Sequence, residues 1–247
     1  MKLVCAFLIL FLGLSAEARV FKLKDETFAA YVHFMGGTSL IQKSSFERTD
    51  VTFSNKVDYN LSGDFGVLFA MSRANFKLGL EFIRPQVVSG AQAIGAGDVL
   101  YYRVTSGIIS YGPVAGLDLI LKAGESYRIY ITTALGYMKT TLKNDYEFSS
   151  QGRTNYGGIN DYTEEGSAIG AMGRGGLGLE FSLADTATLA FDVGYRSLTT
   201  TNLIHERTAV TLNGSVVSGG VMKDQNGNDR KVNLSGGWAG IGLRFYF

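Results

Sequence analysis

The stretch from Asn75 to Ile83 reads N-F-K-L-G-L-E-F-I and alternates between apolar and polar or small residues. Its apolar residues share one face of an extended strand: Phe76, Leu78, Leu80 and Phe82. Lys77 and Glu81 fall on the opposite face, whereas a helix would place them among apolar neighbours. The period of two therefore predicts a β-strand.

The same pattern recurs along the chain. The residues 61–71 also alternate, and only Ser72-Arg73-Ala74 separate them from the strand described above, which indicates a tight hairpin. Eight segments alternate in this way: 27–40, 61–71, 75–83, 111–121, 127–138, 169–183, 187–198 and 234–247. The chain is therefore predicted to be all-β.

The connections between these segments are alternately long and short. Short turns are expected at 72–74, 122–126 and 184–186, and long loops at 41–60, 86–110, 139–166 and 199–233. This asymmetry is typical of transmembrane barrels, which have short periplasmic turns and long external loops. The region 86–110 leaves a count of ten strands open, because residues 99–110 could form an extra hairpin.

The face opposite the apolar one is mostly Gly, Ala and Ser, with single charges. A soluble sheet would carry many Lys, Glu and Thr there, whereas small residues suit the crowded lumen of a narrow barrel. We therefore predict a closed antiparallel up-and-down transmembrane β-barrel, most simply of eight strands. The residues expected to face lipid are Leu78, Leu80, Phe82, Leu117, Leu119, Ile129, Ile131, Leu177, Leu179, Phe191, Val193, Leu243 and Phe245.

The N-terminus has the order of a secretory signal peptide. Lys2 precedes an apolar run from Leu3 to Leu14, and small residues Ala16 and Ala18 follow. The run is shorter than the ~20 residues of a spanning helix, which disfavours a retained anchor. We expect a signal peptide at 1–18 and a barrel domain at 19–247. Cys5 lies in the leader, so disulfides and cysteine-based sites are not expected in the mature domain.

The last seven residues are I-G-L-R-F-Y-F, with Ile241, Leu243, Phe245 and Phe247 on one face. An alternating final strand that ends on phenylalanine resembles the C-terminal signal of bacterial outer-membrane proteins. The chain as a whole resembles the small eight-stranded class that includes the OmpA transmembrane domain, OmpX and the OmpW group. The resemblance implies the outer membrane of a Gram-negative cell, with recognition of Phe245 and Phe247 by the barrel-assembly machinery and contact with outer-membrane lipids and lipopolysaccharide.

Charged residues directed inward by the alternation form two sets of equal number. The positive residues are Lys77, Arg128, Arg174, Arg196 and Arg244. The negative residues are Asp64, Glu81, Asp118, Glu180 and Asp192. Unpaired charges in a low-dielectric lumen would be costly, so we expect pairing. Judged by their distance along the strands from the short turns, Arg174, Arg196 and Asp64 should lie in the upper half of the lumen, nearer the long loops. Glu81 should lie in the lower half, nearer the turns. The network is either a polar plug, which we favour because eight strands enclose little space, or a selectivity filter.

Sites of chemistry are sparse. We assign no catalytic, cofactor-binding or metal-binding residues, and the net charge of +1 gives no reason to expect nucleic acid. His33 is expected inside the barrel and His205 in a solvated loop. The segment Asp224–Asp229 loosely resembles a calcium loop but lacks the distal glutamate, and a tight turn explains it better.

Three functions remain open at this stage. The first is a structural or surface-interaction barrel with a filled lumen, whose external loops meet a partner that the sequence does not identify. The second is a narrow conduit for ions or small apolar molecules, which inward glycines such as Gly66, Gly79 and Gly176 would permit. The third is a lipid-modifying enzyme, because the resemblance extends to acyl hydrolases and acyltransferases of lipid A; it would need a serine beside His33 or His205.

Overall fold

The structure is a computed structural model, and it describes residues 26–39, 41, 51–52, 59–95, 97–212, 214–224 and 227–247. The predicted signal peptide at 1–18 lies outside the described residues, as does most of the loop predicted at 41–60. The first strand begins at Phe28, close to the predicted start.

The described residues form thirteen strands and one short helix. The strands are β1 Phe28–Thr38, β2 Val51–Thr52, β3 Tyr59–Ala70, β4 Ala74–Pro85, β5 Val88–Ile94, β6 Leu100–Ala123, β7 Tyr127–Phe148, β8 Tyr162–Ala184, β9 Ala187–Leu198, β10 Ile204–His205, β11 Ala209–Thr211, β12 Gly214–Val216 and β13 Gly236–Tyr246. The helix α1, Ser150–Asn155, is capped by the Ser149 side chain, which accepts from the Gly152 N–H. Within the described ranges, no helix is both long and apolar enough to cross a membrane.

Eight of the described strands close into a ring in the order β1, β3, β4, β6, β7, β8, β9, β13. Every neighbouring pair is antiparallel, and β13 pairs with β1 to close the ring, so the predicted count of eight is confirmed. Residues of each ring strand pair with residues of the next strand. Following these pairs once around the ring from Leu179 of β8 leads back to β8 at Ile169, not at Leu179. This stagger means that the strands tilt by roughly 35–45° and enclose a narrow lumen.

The barrel has an apolar outside and a polar inside. Burial alternates along each strand of the ring, and every predicted lipid-facing residue lies on the outer face. Leu80 is 43% exposed, whereas its neighbour Glu81 is fully buried. Aromatic side chains border this apolar belt at both ends. Phe28 contacts Phe69 near the short turns, and Phe82 stacks on Phe65 and Tyr111 near the opposite end.

Strand length corrects part of the sequence analysis. The regions 86–110 and 139–166 were predicted as loops, but β6, β7 and β8 run 24, 22 and 23 residues, against 11 or 12 in the other ring strands. β5 pairs with the outer part of β6, as an extra hairpin would, and stays outside the ring. One side of the barrel therefore rises well above the other.

The apolar face of β7 switches sides along the strand. In the lower part Leu135 and Tyr137 point outward and are 73% and 55% exposed. Above them Met138, Leu142 and Tyr146 point inward and are buried, while Lys143 faces out. An outer surface that changes from apolar to charged marks the change from lipid to water. We call the part above this switch the head: the outer ends of β6–β8, β5, α1 and residues 199–235.

Candidate functional site in the barrel lumen

An upper ion group occupies the middle of the lumen: Asp64, Glu81, Arg174 and Arg196. Arg174 donates one hydrogen bond to Asp64 and a second, of 3.0 Å, to Glu81. Arg196 lies 3.3 Å from the other Glu81 oxygen and donates to Asn60 at 2.8 Å. All four ion-pair side chains are at most 4% exposed. Glu81 was predicted low in the barrel; the long arginine side chains reach down to it, so it belongs to this upper group.

A lower ion group lies nearer the short turns: Lys77, Asp118, Glu180 and Arg244. Lys77 lies 2.6 Å from Asp118, and Arg244 bridges Asp118 and Glu180 at 3.0 Å each. Below this group, Arg128 donates to the Tyr246 hydroxyl, which donates to Glu180 at 2.7 Å. The residues of the two groups come from six different strands of the ring, so the network connects opposite walls of the barrel.

His33 lies between the two ion groups. Its Nδ1 atom is 3.3 Å from an Asp64 oxygen, and its Nε2 atom is 3.3 Å from an Asp192 oxygen. This arrangement brings Asp192 into the network, so that all ten inward charges lie in one connected region. Beside His33 is a cavity of about 10 Å³, close to the smallest space that holds one water molecule.

Inward glycines do not leave a passage. A Cβ atom on Gly178 would lie 2.2 Å from the Tyr130 ring, and one on Gly240 would lie 2.5 Å from His33 Nε2. Gly66 and Gly79 pair across β3 and β4, and a Cβ on Gly66 would lie 2.0 Å from the Leu78 carbonyl oxygen. These glycines are needed because larger side chains from other strands, or the backbone itself, already fill the space.

An apolar plug fills the lumen above the ion groups. Ring strands supply Ile83, Ile108, Val114, Met138, Leu142, Ala168, Met172 and Leu198. The connection between β9 and β13 supplies Leu203, Met222, Val232 and Leu234, each fully buried. This contribution was not predicted, because single apolar residues in a polar loop show no period. The alternation would have predicted the strand residues had it been followed past the membrane boundary.

A further buried ion pair, in the head, holds the connection between β9 and β13 in place. Arg230 donates to Glu164 of β8 at 2.9 Å, and both side chains are 5% exposed. Asn144 of β7 also donates to Glu164. His205 lies beside this pair and is 4% exposed, not solvated as predicted. Burial lowers the pKa of His205, Glu164 opposes this effect and Arg230 adds to it.

Aromatic rings close the outermost end of the head. Tyr102, Tyr146 and Phe148 are buried, and Tyr156 and Tyr162 pack against them. Tyr146 stacks on Tyr162 with ring centroids 4.6 Å apart. Three acidic residues close together in the sequence point in different directions here: Glu164 pairs inside with Arg230, while Asp161 pairs with Arg153 and Glu165 with Arg207 on the surface.

The surroundings of the two histidines bear on the lipid-modifying enzyme considered above. In the part of the chain that the structure describes, no serine hydroxyl bonds to either histidine, and no group of three or more His, Cys, Asp or Glu side chains could hold a metal ion. Asp224, one of the candidate calcium ligands, instead accepts from the Gly227 and Asn228 N–H groups, and Gly227 has a φ of 79°. This is the tight turn that the sequence favoured.

The fold and its lumen define a class: a closed eight-stranded transmembrane β-barrel with a filled interior. No protein-family model matches the chain, and no curated protein matches its sequence. Among solved structures, OprG of Pseudomonas aeruginosa is 13% identical, with 90% of this chain and 96% of that chain covered and a TM-score of 0.43. Neisserial surface protein A is 12% identical, with 89% and 97% covered and a TM-score of 0.40.

The outer membrane protease OmpT of Escherichia coli is also similar, at 12% identity, with 94% of this chain and 100% of that chain covered and a TM-score of 0.38. At these values each comparison is a likeness of fold. None of them carries an argument about what this chain does.

Proposed function

We propose that this chain is an exported outer-membrane protein whose sealed barrel anchors a β-rich head at the cell surface. Its apolar outer belt is what a barrel presents to lipid. The predicted signal peptide and the final phenylalanine support export and assembly in the outer membrane. Both chain ends and the short turns are then on the periplasmic side, and the head is outside.

The filled lumen is the observation that carries this proposal. Two ion groups and the apolar plug follow one another from the short turns to the head, and each contains fully buried side chains. Water and ions would have to break buried ion pairs and then cross an apolar layer. The barrel therefore serves as an anchor, and the narrow conduit has no geometric feature in its favour.

The head is the part that meets the surroundings. Its core is closed by the apolar plug and the aromatic rings, so its strands are held in one arrangement. Its outer surface carries alternating charges, such as Lys143 beside Asp145 and Arg207 beside Glu165. A rigid, hydrated surface on a membrane anchor suits a structural or interaction role, in which exposed segments bind a partner.

Planar-bilayer conductance of the refolded protein tests the sealed lumen. We expect no steady current from the parent. The double variant Glu81→Gln, Arg196→Gln removes both ion pairs of Glu81 and keeps Arg174 with Asp64. Because the apolar plug still lies above this layer, we expect intermittent currents at most. The control Lys143→Gln, Asp145→Asn neutralises an exposed pair and should remain silent. A steady, ion-selective current from the parent would replace this proposal with the conduit.

A further inference from the structure

A depression lies on the outer wall of the barrel, just below the head and on its low side. It is a cavity of about 860 Å³ where β13, β1, β3 and β4 run side by side. The outward residues on its floor are small: Gly36, Gly237 and Ala239. We call this depression the wall groove.

Packing against the described residues does not explain the small floor. A Cβ atom on Gly36 would meet no described atom within 4 Å, and one on Gly237 would have only the Gly194 carbonyl oxygen, at 3.9 Å. Glycine weakens a strand, and in a strand it often marks a place where another molecule approaches closely. Large, exposed side chains form the sides of the groove: Tyr59 is 68% exposed and Leu61 is 74% exposed.

The wall groove also carries a charge. Arg84 borders it on β4 and forms no ion pair with any described residue. Arg84 is the next outward residue above Phe82, which belongs to the upper aromatic row. That row marks the boundary between lipid tails and head groups. A cation at this height meets the phosphates of the outer leaflet, while the floor lies at the height of the acyl chains.

Polar groups surround the upper end of the groove. Tyr59 and Gln86 border it and are exposed, so a hydroxyl and an amide are available beside Arg84. These groups match sugar hydroxyls better than the small head group of a phospholipid.

We propose that the wall groove binds a phosphorylated glycolipid of the outer leaflet, that is, lipopolysaccharide. An acyl chain lies over Gly36 and Ala239, a phosphate binds Arg84, and sugars meet the polar upper end. The proposal rests on the proposed location in the outer membrane. Binding can be measured in detergent, however, so that its failure is distinguishable from a failure of the location.

The test uses the full barrel refolded in detergent and deep-rough lipopolysaccharide as the probe. Native mass spectrometry counts the bound glycolipid per barrel. Probes for comparison are the same glycolipid without its phosphates, and phosphatidylglycerol.

Two variants and two matched controls are compared, and only where heat-modifiable migration shows a folded barrel. Arg84→Gln should weaken binding about tenfold, because one charge-assisted contact is lost. Gly36→Leu should fill the floor and reduce binding, with Gly36→Ala as a milder version. Arg73→Gln, at a short turn, and Gly173→Leu, an outward glycine elsewhere in the belt, should bind as the parent does.

Two results would overturn the proposal. Equal binding by the parent, Arg84→Gln and Gly36→Leu would show that the wall groove is not the site. Binding of phosphatidylglycerol or of the dephosphorylated glycolipid as tight as that of lipopolysaccharide would show that the site is not specific for a phosphorylated glycolipid.

Discussion

Arg174 connects two carboxylates, Asp64 and Glu81, from neighbouring strands on another wall of the barrel. Its guanidinium also lies 5.8 Å from the ring of Trp238. Because a buried carboxylate without a partner is unfavourable, the removal of this one side chain affects two other residues. The upper ion group is therefore both the obstruction in the lumen and a brace between walls.

We expect Arg174→Gln to lower the free energy of unfolding by about 3–5 kcal/mol, because two buried carboxylates each lose one of their partners. The control Arg153→Gln breaks an exposed pair with Asp161 and should change the free energy of unfolding by less than about 1 kcal/mol. Denaturant unfolding in lipid vesicles measures both. Equal, small effects would mean that the lumen admits enough water to solvate the carboxylates.

His205 makes the head sensitive to pH. Its pKa is lowered in the folded protein by burial, so the folded state binds fewer protons than the unfolded chain. Its contribution to stability is present above pH 6.5, the ordinary pKa of histidine, and is lost as the pH falls below that value. Glu164 and Arg230 are the charged groups beside it.

The protection factors for hydrogen exchange in residues 199–235, which correct for the slower intrinsic exchange at low pH, should therefore be lower at pH 5 than at pH 7.5. The variant His205→Gln should lose most of this difference, since glutamine does not titrate. Unchanged protection factors in the parent across this range would show that protonation of His205 does not weaken the head.

At the scale of elements, the alternation predicted the ring but not the height of its strands. Segments such as 75–83 lie wholly within the apolar belt, where one face is apolar and the other small or charged. In β7 the outward apolar residues end at Tyr137 and the inward apolar residues begin at Met138. A pattern that requires one apolar face along the whole strand therefore stops matching at that point. The surroundings of the barrel change from lipid to water at that point, and the sequence alone does not show the position of this boundary.

The ten inward charges were predicted from the same alternation, but their partners were not. Pairing depends on how far each side chain reaches across the lumen, which is why Glu81 meets Arg174 and Arg196 instead of the lower group. The contributions of Leu203, Met222 and Arg230 were not predictable, because a long connection has no period that shows which residues fold inward.

Belt and head should respond differently to an outward charge. Leu80→Arg places a cation in the middle of the belt and should lower the free energy of unfolding by about 2–4 kcal/mol. Thr105→Arg places the same side chain on the outer face of β6 in the head, where water solvates it, and should have little effect. Denaturant unfolding in lipid vesicles compares the two, and equal losses would contradict the boundary drawn at the switch in β7.

For the whole molecule, the proposed location requires one arrangement: short turns on the periplasmic side, belt in the membrane and head outside. The low side of the barrel carries the wall groove and the tall side carries the head, so lipid and aqueous partners meet different faces. Cys5, the only cysteine, lies in the predicted leader, and the barrel domain can therefore carry single introduced cysteines as probes.

Labelling of intact cells with a membrane-impermeant maleimide tests this arrangement most directly. Three variants are needed: Ser215→Cys in the head, Leu80→Cys in the belt and Glu125→Cys at a short turn. The account predicts that Ser215→Cys is labelled in intact cells, Glu125→Cys only after the outer membrane is permeabilised, and Leu80→Cys in neither case. Labelling of Glu125→Cys but not Ser215→Cys in intact cells, or of Leu80→Cys in the folded barrel, would contradict it.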